Sequence, residues 1–143
     1  MRRFYILILS VSMLPHCVAP PEYSDGLLEN IPAIVDASDY FSLSILGDQY
    51  TADHEWDVSL APTESDVLLQ TLVVKEFNSS SDSTYLLIKG ADGDTILTAL
   101  IMGDLNWSSE DSVSHIGFPG EIAFSGKNFT GRLEYQILKK ITF

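Results

Sequence analysis

Apolar and polar residues alternate with a period of two along most of this chain, and that spacing constrains the fold more than any other feature. Phe41, Leu43 and Ile45 alternate with polar neighbours, and the pattern recurs further along the chain. Because successive side chains of a strand point to opposite faces, the alternation predicts half-buried β-strands. The predicted strands, two of them apolar on both faces as in central strands, are Tyr40–Ile45, Trp56–Leu60, Val67–Phe77, Tyr85–Lys89, Thr95–Met102, Glu121–Phe124 and Leu133–Ile137.

Clusters of Gly, Pro, Asp and Asn separate these strands. They predict a turn at Leu46–Asp48, a hairpin loop at Gly126–Gly131 and a long loop at Gly103–Gly120. A chain of 143 residues fits one domain. About seven short strands over roughly a hundred residues predict an all-β fold, an antiparallel β-sandwich that spans residues 39–143.

The first residues have the pattern of an export signal. Arg2 and Arg3 precede the apolar run Phe4–Leu14, which is too short to span a bilayer. The sequence therefore predicts a signal peptide over residues 1–16 and export of the rest of the chain.

The single cysteine of the chain, Cys17, follows this segment directly, and Leu14 lies three residues before it. Leu14-Pro15-His16-Cys17 resembles the lipobox of bacterial lipoproteins, in the relaxed form found in spirochaetes; His16 stands where the family has a small residue. The resemblance implies that Cys17 carries a diacylglyceryl group, which would anchor the protein to a bacterial membrane and leave no unpaired thiol. The alternative is secretion with cleavage after Ala19.

Residues 17–38 lack a sustained period, and Pro20-Pro21 favours extended polyproline II backbone. The sequence predicts a flexible tether here, with a helical turn in Leu27–Val35 that ends near Pro32.

Charge limits the partners. Eight Lys and Arg against twenty Asp and Glu give a net charge of −12. A polyanionic nucleic acid needs a basic face, so nucleic-acid binding is excluded. The polypeptide also has the wrong sign for an anionic lipid surface, so we expect membrane contact through the lipid alone and a protein as the other partner, either an envelope component or a host extracellular protein.

Three short motifs occur in the order seen in bacterial pre-peptidase C-terminal β-sandwich domains, which they resemble. They are Asp39–Leu43, then Tyr85–Ile88 followed by Asp92-Gly93, and Phe129–Tyr135. The resemblance implies a secreted sandwich and assigns no activity.

Asp92 and Asp94 flank Gly93 in a predicted turn, and Asp104 follows one strand later. Carboxylate oxygens on a glycine-containing turn suit Ca²⁺, so these three aspartates are a candidate calcium site; no other cofactor is predicted. An Asp-Gly pair also forms an ordinary hairpin turn, and that interpretation stays open. Trp107 and Phe118, both in the predicted Gly103–Gly120 loop, are candidates either for an exposed binding surface or for a cap on the core.

Three familiar catalytic or phosphate-binding patterns are incomplete or missing in this sequence. His54-Glu55 lacks the second histidine of a zinc-binding HExxH helix, and no serine lies in a G-x-S-x-G elbow. Gly126 and Gly131 have the spacing of a phosphate-binding loop, but Arg132 stands where that loop needs lysine. The strand pattern places His54 and Trp56 on one side of a strand, opposite Glu55 and its acidic neighbour.

We therefore predict a non-enzymatic binding or structural module at the cell envelope, for example an adhesin-like surface protein. The alternative is a secreted hydrolase or enzyme-accessory domain that acts on glycan or peptide, with Asp92, Asp94 and Glu55 in a cleft.

Overall fold

The computed structural model describes residues 26–78 and 83–140. Within them the chain forms seven antiparallel β-strands and one four-residue helix, which confirms the predicted all-β fold. The elements are β1 (Ala33–Asp36), β2 (Tyr40–Asp57), β3 (Val67–Lys75), β4 (Thr84–Gly90), β5 (Thr95–Ile101), β6 (Leu105–Ser112), α1 (Val113–Ile116) and β7 (Pro119–Lys139). No helix in this part of the chain is long and apolar enough to cross a membrane.

Two long strands, β2 and β7, organise the sheet. They pair along almost their whole length, from Tyr40 opposite Leu138 to Asp57 opposite Glu121. The first half of β2 and the second half of β7 pair with β1 and β3, and β6 pairs with β3; we call this the first half-sheet. The remaining halves of β2 and β7 form the second half-sheet with β4 and β5. Both half-sheets contribute to one core, so the arrangement is a sandwich in which two strands pass from one layer to the other.

Both long strands bend between the two layers. The register of β2 against β7 shifts on either side of Tyr50, as in a β-bulge, which bends a strand and increases its twist. A Cβ atom at Gly47 would collide with the ring of Phe129, and Gly131 has a φ of 139°, a conformation that favours glycine. The turn predicted around Gly47 and the hairpin loop predicted at Gly126–Gly131 are therefore wrong, because both segments are bends within continuous strands.

The core follows the predicted alternation. Every second residue of β3 is buried, including Leu68 and Leu72. In β7 the buried Tyr135 donates a hydrogen bond of 2.8 Å from its hydroxyl to Oε1 of Gln70, which satisfies both polar groups inside the core. Other large side chains that are fully buried include Phe41, Phe124, Phe129, Leu43, Ile45, Leu86, Ile88, Ile101, Ile122, Leu133 and Ile137.

Two strands occupy segments for which the sequence predicts none. β6 and α1 fill most of the predicted loop at Gly103–Gly120. Within residues 26–78 and 83–140, β6 is an edge strand that pairs with β3 alone, and its inward positions include the polar Ser109 and Asp111, which weakens the alternation. Residues 26–32, where a helical turn is predicted, contain no helix, and Glu29 instead forms a bridge with Leu46; that prediction is wrong. β1 follows directly after Pro32 and pairs with β2. β1 also falls within the predicted tether, whose residues 17–25 lie outside the described part of the chain.

Candidate binding surface

The solvent side of the second half-sheet brings together residues from four strands. Burial of alternate residues, such as Leu86 and Ile88 of β4, fixes which side chains point away from the core. The cross-strand register then aligns the outward residues in rows, for example Asp53 opposite Ser125 and Ser125 opposite Tyr85. We call this surface the outer face; it comprises Asp53, Glu55 and Asp57 of β2, Glu121, Ala123 and Ser125 of β7, Tyr85, Leu87 and Lys89 of β4, and Thr98 and Leu100 of β5.

Carboxylates line the β2 side of the outer face. Asp53, Glu55 and Asp57 are all exposed, as expected for alternate residues of a strand whose other side packs on the core. The hydroxyl of Ser125 donates a 2.5 Å hydrogen bond to Asp53, and Nζ of Lys89 lies 2.5 Å from Oε1 of Glu121. The hydrogen bond to Glu121 raises the pKa of Lys89 above its ordinary value. This side of the outer face therefore has an excess of negative charge.

Apolar side chains line the β5 side of the outer face. Tyr85 and Leu100 are direct cross-strand neighbours and are 38% and 49% exposed, and Leu87 beside them is half-buried. Met102 follows the end of β5 and is 68% exposed. Large apolar groups that lie together on a surface mark contact sites more often than scattered ones do. The outer face thus carries an apolar strip on β4 and β5 and a column of carboxylates on β2, with β7 between them.

One end of the outer face opens into a cleft of about 430 Å³. Asp57, Lys89 and Glu121 supply its charged side chains, and the backbone of the β4–β5 turn forms its rim. A Cβ atom at Gly120 would lie 2.8 Å from the Cα atom of Ala91, so glycine permits the close approach of β7 to this turn. Gly120 and Ala91 both line the cleft.

The inward side of the same part of β2 carries stacked rings. His54 and Trp56 stack at 5.3 Å, and Tyr50 lies 6.1 Å from the buried Phe124. The hydroxyl of Tyr50 and Nε2 of His54 are hydrogen-bonded at 2.6 Å, and burial raises the pKa of Tyr50. The prediction that His54 and Trp56 share one side of a strand, opposite Glu55, is confirmed.

The three aspartates proposed for calcium are not brought together. Oδ1 of Asp92 accepts the backbone N–H of Asp94 at 3.1 Å within the β4–β5 turn. Asp104 lies beyond the other end of β5, where its Oδ1 accepts the backbone N–H of Phe77 at 2.8 Å. A seven-residue strand separates the two positions by about 23 Å. Among the described residues no group of three or more His, Cys, Asp or Glu side chains is placed to hold a metal ion, so the calcium prediction rests on the turn alone.

Trp107 and Phe118 lie in different settings. Trp107 is an inward residue of β6, opposite Leu72, and packs half-buried against the core. Phe118 immediately precedes β7 and is 41% exposed. Cys17, the predicted lipidation site, lies outside the described residues.

The outer face is not predicted from the sequence, although two signals for it are present. One is the alternation of acidic residues at Asp53, Glu55 and Asp57. The other is the run Thr95–Ile101, which has no charged residue and is bounded by aspartates on both sides. Only the strand register shows that these two segments lie on the same surface.

No protein-family model and no curated protein matches this chain. Among solved structures, the chain is similar to a glycosylation-associated protein (Gap123) complex from Streptococcus agalactiae, with 8% identity and a TM-score of 0.33. It is also similar to xylanase 10C from Cellvibrio japonicus, solved as the E385A mutant in complex with xylopentaose, with 14% identity and a TM-score of 0.27. The aligned regions cover 85% and 77% of this chain but only 43% and 24% of those chains. Likenesses at these scores do not bear on function.

Proposed function

We propose that this protein is an exported, lipid-anchored binding module that contacts a protein partner through the outer face. The observation that supports binding is the juxtaposition, on one exposed sheet surface, of the apolar strip at Tyr85 and Leu100 with the carboxylates of Asp53, Glu55 and Asp57. Apolar contacts supply binding free energy, and complementary charge supplies orientation and rate of association. The matching partner is a polypeptide surface that combines apolar and basic side chains.

The competing proposal is a secreted hydrolase or enzyme-accessory domain. It is favoured by the cleft, where Asp57 and Glu121 are cross-strand neighbours. Binding is better supported, because Glu121 is already held by Lys89, and because neither Glu55 nor the aspartates of the β4–β5 turn line the cleft. Loss of glycan or peptide hydrolysis in Glu121→Gln, with the folded structure retained, would favour the hydrolase.

The membrane anchor is proposed from Cys17. Two or three acyl chains on one cysteine hold a protein at a membrane durably, whereas a single chain binds reversibly, at ~0.8 kcal/mol per buried CH₂ group. After removal of residues 1–16, six basic and twenty acidic residues remain, so the polypeptide itself would be repelled by an anionic surface. The anchor would therefore have to be the lipid.

Mass spectrometry of the mature N-terminus tests the anchor, with Cys17→Ser as the control. We expect an acylated Cys17 as the first residue, and we expect the wild-type protein to enter the detergent phase in phase partitioning while Cys17→Ser stays in the aqueous phase. An unmodified chain that begins at Pro20 would refute the anchor.

Panning of a displayed random peptide library against the full chain tests the outer face as a binding surface. We expect enriched peptides that combine basic and apolar residues and that lose binding to Tyr85→Ser and Leu100→Ser. The matched control is Val35→Ser, which removes a 55% exposed apolar side chain from β1 in the first half-sheet. Peptides that bind all three variants as well as they bind the wild type would refute the outer face as the site.

A further inference from the structure

β5 forms one edge of the second half-sheet. Among the described residues it pairs with β4 alone, so the backbone groups on its other side have no strand partner there. Its sequence, Thr95–Ile101, contains no charged residue, no proline and no glycine. An exposed strand edge of this kind is a template for another strand, because its N–H and C=O groups can continue the sheet.

Among the described residues, the other edges of the sheet have features that prevent pairing with a further strand. β1 has only four residues, and β6 carries Glu110 and Asp111. The second half of β2, the opposite edge of the second half-sheet, carries three carboxylates. Short strands and charged side chains are the devices by which proteins prevent unwanted strand pairing. β5 lacks both.

The surroundings of β5 suit an apolar strand. An added strand would lie beside Thr98 and Leu100 on the outer face and beside Leu97 and Ala99 on the core side. Leu97 and Ala99 are half-buried and pack against the core, so a neighbouring apolar side chain would extend that core. Alternating Val and Thr residues would match both sides, since β-branched residues fit a pleated, half-buried surface.

Charge at the two ends of β5 distinguishes a second copy of this chain from a different partner as the added strand. Asp92 and Asp94 precede the strand, and Asp104 follows it; all three are exposed. Antiparallel pairing of two copies centred on Thr98 would place Asp92 of one copy opposite Asp104 of the other, and both chains would be strongly acidic. Like charges directly opposite one another are destabilising. A segment with basic residues at both ends would instead meet carboxylates at both ends.

We propose that β5 binds its partner by strand addition, and that the partner contributes an extended, uncharged segment flanked by Lys or Arg. This inference rests on the proposed binding function and deepens it, because it names how the partner engages the outer face. It can fail separately, since a partner could contact side chains of the outer face without extending the sheet.

The test uses the full chain and a fluorescent peptide of alternating Val and Thr, matched in length to β5, with a Lys at each end. One control peptide has Glu in place of each Lys, and a second is N-methylated along its central backbone, which retains the side chains but removes the hydrogen-bond donors. The protein variant is Thr98→Lys, which places a charge on the exposed side of β5. Its matched control is Ser108→Lys, at an exposed position of the edge strand β6.

We expect the Lys-flanked peptide to bind, and both control peptides to bind about tenfold or more weakly. Thr98→Lys should weaken binding by a similar factor, Ser108→Lys should not, and both variants should keep the wild-type thermal midpoint. Equal affinity for the N-methylated peptide would overturn strand addition while leaving contact with the outer face intact. No binding at about 1 mM peptide, or a protein dimer in sedimentation that Thr98→Lys abolishes, would also overturn the proposal, the latter in favour of a second copy.

Discussion

The Tyr135→Phe substitution tests how strongly the core depends on its buried hydrogen bond. In the wild type the Tyr135 hydroxyl donates to Oε1 of Gln70 at 2.8 Å, and both residues are buried. Phe retains the ring and its packing but leaves the Gln70 oxygen without a donor. A buried acceptor that loses its partner costs about 1–3 kcal/mol, so we expect the free energy of unfolding to fall by that amount and the thermal midpoint to fall by roughly 4–12 °C.

The matched variant is Tyr135→Phe combined with Gln70→Leu. Replacement of both partners by apolar groups removes the orphaned acceptor, so the double variant should recover much of the loss. The assay is chemical denaturation of the wild type, both single variants and the double variant, analysed as a double-mutant cycle. If Tyr135→Phe is as stable as the wild type, or if the two substitutions act additively, the hydrogen bond does not stabilise the core as described.

Tyr135 should also make the free energy of unfolding depend on pH in the alkaline range. Burial raises the pKa of Tyr135 well above its ordinary value. Below a pH of about 10, both the folded and the unfolded chain keep the hydroxyl proton of Tyr135. Above that pH the unfolded chain releases the proton first. The free energy of unfolding therefore falls as pH rises, by ~1.4 kcal/mol per pH unit for one such group. Tyr135→Phe should therefore lose less stability than the wild type between pH 10 and 12.

Two further substitutions test the ion pair between Asp66 and Lys139 just before β3, and the backbone contact between Gly120 and Ala91 at the cleft. The hydrogen bond from Lys139 is the main reason that the pKa of Asp66 is lowered to about 2. Ionised Asp66 therefore stabilises the fold above the ordinary carboxyl pKa, and this stabilisation is lost as pH falls towards 2. Asp66→Asn should flatten that acid-side loss in thermal melts, and an unchanged acid profile would contradict the pairing. Gly120→Ala should destabilise the fold by about 1–3 kcal/mol, since its Cβ would meet the Ala91 backbone at 2.8 Å. Gly103→Ala, with no atom within 4 Å of its Cβ, should stay within about 0.5 kcal/mol, and equal effects of the two would contradict the contact.

The alternation of apolar residues predicts the all-β fold and the core face of the strands that it identifies, because burial of one side is a local property of each strand. It does not predict which segments are continuous. Glycine clusters mark both turns and bulges, and only the close packing of Gly47 on Phe129 shows that the chain bends there without leaving the sheet. β6 escapes prediction because an edge strand buries less, so polar residues such as Ser109 occupy its inward positions.

The candidate binding surface depends on register, which local pattern leaves undetermined. Asp53 and Leu100 lie on the same face only because Ser125 and Tyr85 connect them across three strand pairs. Conversely, the sequence predicts that Asp94 and Asp104 belong to one calcium site, but the full length of β5 separates them. Proximity along the chain is a poor guide to proximity in a sheet whose strands run antiparallel.

Amide hydrogen exchange of the full chain, with and without the Lys-flanked Val-Thr peptide, tests most directly whether this protein binds through the second half-sheet. In the absence of peptide, β5 should exchange faster than its neighbour β4, because half of its backbone groups face no other described strand. Addition of peptide should slow exchange in β5 and leave β6 and β1 unchanged. Protection that appears on β6 or β1 instead, or no protection at a peptide concentration that saturates binding, would contradict this assignment of the binding edge.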